Sequence, residues 1–122
     1  MPDPRHRLGL LAEDACAAWL TSIGWTVLER RWRSGSGELD LVCRDPCEVL
    51  VGVEVKLRRT PRAGSAAESL DRRRLARLRV SLARYADGRR SYDNGLRLDL
   101  VTVTPADSGT WRLARFPGVD AW

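Results

Sequence analysis

Apolar residues recur along the chain with two different periods. From Leu8 to Ile23 they fall at Leu8, Leu11, Ala12, Ala15, Trp19 and Ile23, a helical stripe that Gly24 is placed to end. From Trp25 to Arg31 the spacing changes to alternation, which predicts a strand, and Ser34-Gly35-Ser36-Gly37 reads as a turn. A second strand covers 37–42, where Leu39 and Leu41 are expected on one face and Glu38, Asp40 and Val42 on the other. A third covers about 48–57, with Val51, Val53, Val55 and Leu57 opposite Gly52, Glu54 and Lys56. Leu75, Leu78, Leu82 and Tyr85 then mark a long helix that ends near Gly88. Its start is signalled twice, by Ser65 with Glu68 as a capping box and by Asp71 as a later cap. Strands at 96–103 and 110–116 follow, and residues 1–7, polar and proline-containing, read as a loose tail. The order helix, three strands, helix, two strands predicts one α/β domain over 1–122, a mixed sheet with helices against it.

That order gives the acids a meaning. If the loop around Asp45-Pro46 turns the second and third strands into an antiparallel hairpin, Asp40, Glu54 and Lys56 meet on one face. Gathered carboxylates repel one another unless a cation compensates them. A neighbouring lysine and a hard divalent ion would do so, and oxygen ligands suit Mg²⁺ or Mn²⁺ better than zinc or copper. The plainer alternative is the solvated face of an ordinary strand. Against it stand the purely aliphatic opposite face of the third strand and the placing of acids on two neighbouring strands. Glu13 shares its helix line with Cys16 and Leu20, so it borders the buried face, although the pattern alone favours an ordinary first-turn acid. Arg97 and Asp99 share a strand face and are expected to pair.

Composition narrows the class. With 122 residues, 43% of them apolar, the chain can bury a core without a staple. Its apolar runs are too short and too interrupted for a membrane span or a signal peptide. Three cysteines without scaffold spacing point to a reducing compartment, the cytoplasm. Cys43 and Cys47 have no second pair to complete a zinc site, and the single histidine, His6, lies outside every motif, which disfavours a histidine-based or cysteine-based hydrolase. The net charge of +5 favours a polyanionic partner, nucleic acid before an acidic membrane surface. Arg72, Arg73, Arg74, Arg77, Arg79 and Arg84 crowd the second helix, either as a solvated face or as a phosphate-gripping one. The nearby acids favour the second.

Gly9-x-x-x-Glu13, Leu20, Gly24, Trp32-x-x-x-x-Gly37-Glu38-Leu39-Asp40-Leu41, Val53-Glu54-Val55-Lys56-x-Arg58 and Arg97-Leu98-Asp99 together closely resemble the bacterial YraN-like family. That family is similar to the PD-(D/E)xK nucleases, nearest to Holliday-junction resolvases, and the match runs from about Leu8 to Val103. The resemblance implies a restriction-endonuclease-like fold and metal-dependent hydrolysis of DNA, with Asp40, Glu54 and Lys56 catalytic and Glu13, Asp40 and Glu54 holding Mg²⁺ or Mn²⁺. Glu38 matches the glutamate of the Gly-Glu-x-Asp motif and is an accessory candidate. Arg58, Arg73, Arg74 and Arg77 are the candidate nucleic-acid contacts, and a homodimer follows by analogy with resolvases. Three positions depart from the family pattern. Ala12 stands where Gly is usual, Arg31 where Asn is usual, and Arg74 where a helix lysine is usual. Those departures keep open a module that binds nucleic acid through the same fold without turning it over, and an arginine face that docks an acidic protein is a third reading.

Overall fold

The computed structural model describes residues 3–35, 37–59, 71–89 and 94–121. Helix α1 (Pro4–Ser22) precedes β1 (Thr26–Ser34), β2 (Gly37–Arg44) and β3 (Leu50–Leu57). Helix α2 (Arg72–Asp87), β4 (Leu96–Pro105) and β5 (Trp111–Phe116) complete the chain, with short 3-10 turns at Asp107–Gly109 and Val119–Ala121. The strands form one sheet in the order β1-β2-β3-β4-β5, antiparallel except for β3 and β4, which the α2 crossover makes parallel. The mixed α/β sandwich expected from the element order is therefore the fold. The capping signal at Ser65 and Glu68 lies outside the described residues, and the observed cap of α2 is Asp71, whose side chain accepts the Arg74 N–H.

Each sheet face carries its own core. On one side α1 places Ala12, Cys16 and Leu20 against Leu41, Cys43, Val51, Val53, Val101 and Val103. On the other, Leu75, Leu78, Leu82 and Tyr85 of α2 cover Leu39, Val42, Leu50, Leu98 and Leu100. Gly52 permits the second contact, because a Cβ there would stand 3.0 Å from Leu98 and 3.1 Å from Leu39. No described helix is long and apolar enough to cross a membrane.

Three expectations are corrected. Residues 4–7 belong to α1 and not to a tail, since Asp3 accepts the Arg5 N–H at 3.0 Å and Pro4 opens the helix with its φ already helical. The buried line of α1 is Ala12-Cys16-Leu20, whereas Leu8, Leu11 and Ile23 are each more than 40% exposed. Small side chains at 12 and 16 let this line approach the sheet closely, and Glu13 stands at its edge with its side chain 14% exposed. Leu39 and Leu41 do not share a face: Leu39 joins the α2-side core and Leu41 the α1-side core. Alternation breaks at the residue between them, Asp40.

Candidate active site

The break at Asp40 is where the site forms. β2 pairs with β3 from Arg44 and Leu50 up to Leu41 and Val53, and there the register ends. The next β3 donor, the Val55 N–H, goes to Asp40 Oδ2 at 2.8 Å. A side-chain oxygen thus replaces a ladder acceptor, so β2 can twist away while the buried donor stays satisfied. On the other edge β2 remains paired with β1 through Trp32 to Leu39 and Arg30 to Leu41. Arg31, between those pairs, has a φ of 51°, a left-handed conformation that costs an arginine backbone strain.

Asp40 and Glu54 come together across the split. Their carboxyl groups stand close enough that each shifts the other's acidity. Burial, then the hydrogen bond and charge of Glu54, and lastly Glu13 push the Asp40 acid from 3.8 up to about 9. Burial alone would also raise Glu54, but the Asp40 hydrogen bond, the Arg74 guanidinium and the charge of Lys56 together hold it below its ordinary range. The two shifts run in opposite directions and favour a proton on Asp40 beside an ionised Glu54. Glu54 is 5% exposed and sits beneath the first turn of α2, where Arg74 grips one of its oxygens.

Of the residues expected at the site, Asp40, Glu54, Lys56 and Arg74 are gathered. Glu13 is close enough for its charge to act on Asp40, yet its carboxylate is bonded to Arg31 at 3.1 Å. Glu38 turns away to Arg33 at 2.6 Å. Arg73 and Arg77 stand exposed on one side of α2, a helical turn apart, with no ion pair among the described residues. Arg58 is half-buried just past β3, its N–H donating to Val103 O at 2.9 Å. The Arg31 and Arg33 contacts went unforeseen in the sequence, as they depend on side chains reaching between elements distant in the chain. Asp99 has the structural role expected of it. It is fully buried, held by Arg97 at 2.7 and 3.1 Å, Arg115 at 2.9 Å and the Gly118 N–H at 3.1 Å. Cys43 is buried and Cys47 exposed, both as free thiols.

Among the described residues no three His, Cys, Asp or Glu side chains converge as a metal cage. The Asp40–Glu54 pair is nevertheless suited to a hard cation. Its donors are all oxygen, it is short of positive charge to the extent of holding a proton, and Mg²⁺ commonly takes one or two carboxylates and completes its shell with water and phosphate oxygens. Glu13 fits as a third ligand only after releasing Arg31.

Residues 12–103 match the Uncharacterised protein family UPF0102. The chain belongs to the UPF0102 family. A UPF0102 protein of Beutenbergia cavernae is 39% identical over 115 residues, covering 94% of this chain and 97% of that one. One from Frankia casuarinae is 39% identical over 114 residues, covering 93% and 96%. One from Mycobacterium sp. (strain KMS) is 35% identical over 116 residues, covering 94% and 86%. The UPF0102 match spans every residue of the Asp40–Glu54 pair and both helices' contacts to it.

Proposed function

We propose that this UPF0102 protein is a metal-dependent DNA endonuclease whose active centre is the Asp40–Glu54 pair with Lys56. The observation that carries the reading is the meeting of Asp40 and Glu54 where β2 and β3 part, Asp40 held by the Val55 N–H at 2.8 Å and Glu54 by Arg74, with the charge of Lys56 acting on Glu54. Two acids of this kind, stacked under a basic helix, have little structural use and cost stability through burial.

Asp40 and Glu54 would hold Mg²⁺ or Mn²⁺, which when bound acidifies a water nucleophile and offsets charge developing on the phosphate. The protein's own groups do the rest. The Val55 N–H fixes the Asp40 carboxyl at the split through its Oδ2. Lys56 orients the attacking water or donates to a phosphate oxygen, where its charge counts most in the transition state. Arg74 can pass from Glu54 to the incoming phosphate, replacing one anion by another, while Arg73, Arg77 and Arg58 hold the flanking backbone. Backbone contacts of this type give salt-dependent binding with little sequence preference.

The test is a cleavage panel on single-stranded, duplex, flapped and four-way-junction DNA with Mg²⁺ or Mn²⁺ against EDTA, using wild type, Asp40→Asn and Lys56→Ala. Metal-dependent cutting lost in both variants, with DNA binding retained, is expected. The second reading is a DNA-binding module without turnover. It draws support from the arginines that already neutralise Glu54 and Glu13. Salt-sensitive binding by all three proteins without cleavage of any substrate would favour it over the nuclease.

A further inference from the structure

A second cationic feature lies on the α1 side of the carboxyl pair. A cleft of about 370 Å³ opens between the start of α1 and the β1–β2 hairpin, lined by Arg5, His6, Arg31 and Arg33 together with Glu13 and Glu38. Both acids are already matched, Glu13 by Arg31 at 3.1 Å and Glu38 by Arg33 at 2.6 Å. Arg5 makes no ion pair among the described residues, and the Arg33 side chain is 82% exposed, so guanidinium donors remain for an outside anion. The cleft has room at its wall, as a Cβ at Gly9 would meet nothing within 4 Å. Glu13 lines the cleft, and it stands near enough to the carboxyl pair for its charge to act on Asp40.

The guanidinium fork matches phosphate oxygens bidentately, which makes arginine the residue for gripping a sugar-phosphate chain. The recess is near the small end of ligand pockets and is concave, which suits a single strand better than the broad convex side of a duplex. Across the sheet the arginines of α2 stand on the opposite bank of the same pair. We infer that the cleft bounded by Arg5, Arg31 and Arg33 holds the phosphodiester backbone of a single nucleic-acid strand on one side of the cut, the α2 arginines holding the other side. This rests on the nucleic-acid reading above and adds to it a second contact surface and a preference for strands that can leave a duplex.

The test is fluorescence anisotropy of a labelled single-stranded DNA oligonucleotide in EDTA, titrated at several salt concentrations. It compares wild type, Arg5→Ala/Arg33→Ala and, as a separate control, Arg73→Ala/Arg77→Ala. Arg5 and Arg33 are exposed, and matched thermal melts verify that the fold is kept. The cleft variant is expected to bind on the order of 10-fold more weakly, and to lower the log-log salt slope by about 1.4 for two lost phosphate contacts. Inorganic phosphate at equal ionic strength should not displace the strand. An unchanged affinity and slope in the cleft variant, beside weakened binding by the α2 variant, would overturn the cleft and leave the nucleic-acid reading intact. Displacement by inorganic phosphate would overturn it too, showing a free-anion site. Absence of binding by wild type on any DNA would remove both.

Discussion

Asp40 carries two roles that are physically opposed. Its Oδ2 satisfies the Val55 N–H as a ladder acceptor would, and the neighbouring Glu54 makes its ionisation harder. Because folding raises its acid from 3.8 to about 9, the folded chain keeps a proton that the unfolded chain loses across that window. The stability this group contributes is therefore full below about pH 4 and is lost as pH rises towards 9. Glu54 is shifted the other way, so its effect falls below about pH 5 and leaves the window to Asp40. Asn keeps an oxygen for the Val55 N–H and stays neutral at every pH. Asp40→Asn is expected to raise Tm by a few degrees, roughly 4 °C per kcal/mol gained, at pH 8 and to flatten the decline between pH 5 and 9. An unchanged pH profile in thermal melts would mean the pair holds no proton. Arg74→Ala leaves the buried Glu54 carboxylate without its guanidinium and should cost about 1–3 kcal/mol by urea unfolding, towards the lower end because Arg74 reaches solvent. A loss below a few tenths would show Glu54 satisfied without it.

At the scale of elements, β3 and the second helix were readable because their periods are unambiguous, whereas the alternation in β2 breaks at Asp40. The α2 stripe of Leu75, Leu78, Leu82 and Tyr85 is the buried face, and β3 buries Val51 and Val53 opposite Glu54 as alternation requires. α1 was harder, since it carries apolar residues on several lines and only packing chose the one with small residues. Neither could the twist at Asp40 be read, because it depends on one side chain replacing a backbone acceptor. The acids were legible as a set, whereas their arginine partners were not, since Arg31 reaches Glu13 across 18 residues and Arg74 reaches Glu54 across 20. Gly52 gives an element-scale prediction. Gly52→Ala forces Leu98 and Leu39 apart beneath α2, so it should destabilise by about 1–3 kcal/mol with the urea m value unchanged. A neutral effect would mean that α2 rides loosely on the sheet.

For the whole molecule, the two helices stand on opposite faces of the sheet, and the split between β2 and β3 opens the site between them. Arginines stand on both sides of the acids, Arg31 on Glu13 and Arg74 on Glu54, within a chain whose net charge is +5. A ligand that binds only the folded site stabilises by mass action. Mg²⁺ or Mn²⁺ at ten times its Kd should accordingly raise the wild-type Tm by several degrees, about 1.4 kcal/mol of added stability, and leave Asp40→Asn unmoved. An equal rise in both proteins would place the ion elsewhere. The arginine surfaces predict that DNA affinity falls steeply and log-linearly between about 50 and 200 mM salt. A flat response would argue for an acidic protein partner instead.

On the proposed reading, the proton that Asp40 holds beside Glu54 is displaced by a divalent cation. Isothermal titration of Mn²⁺ into the protein at pH 7.5, repeated in two buffers of different ionisation enthalpy, measures the ion and the proton together. One site releasing about one proton, absent in Asp40→Asn, is the predicted result. Binding without proton release, or binding that survives Asp40→Asn, would contradict it.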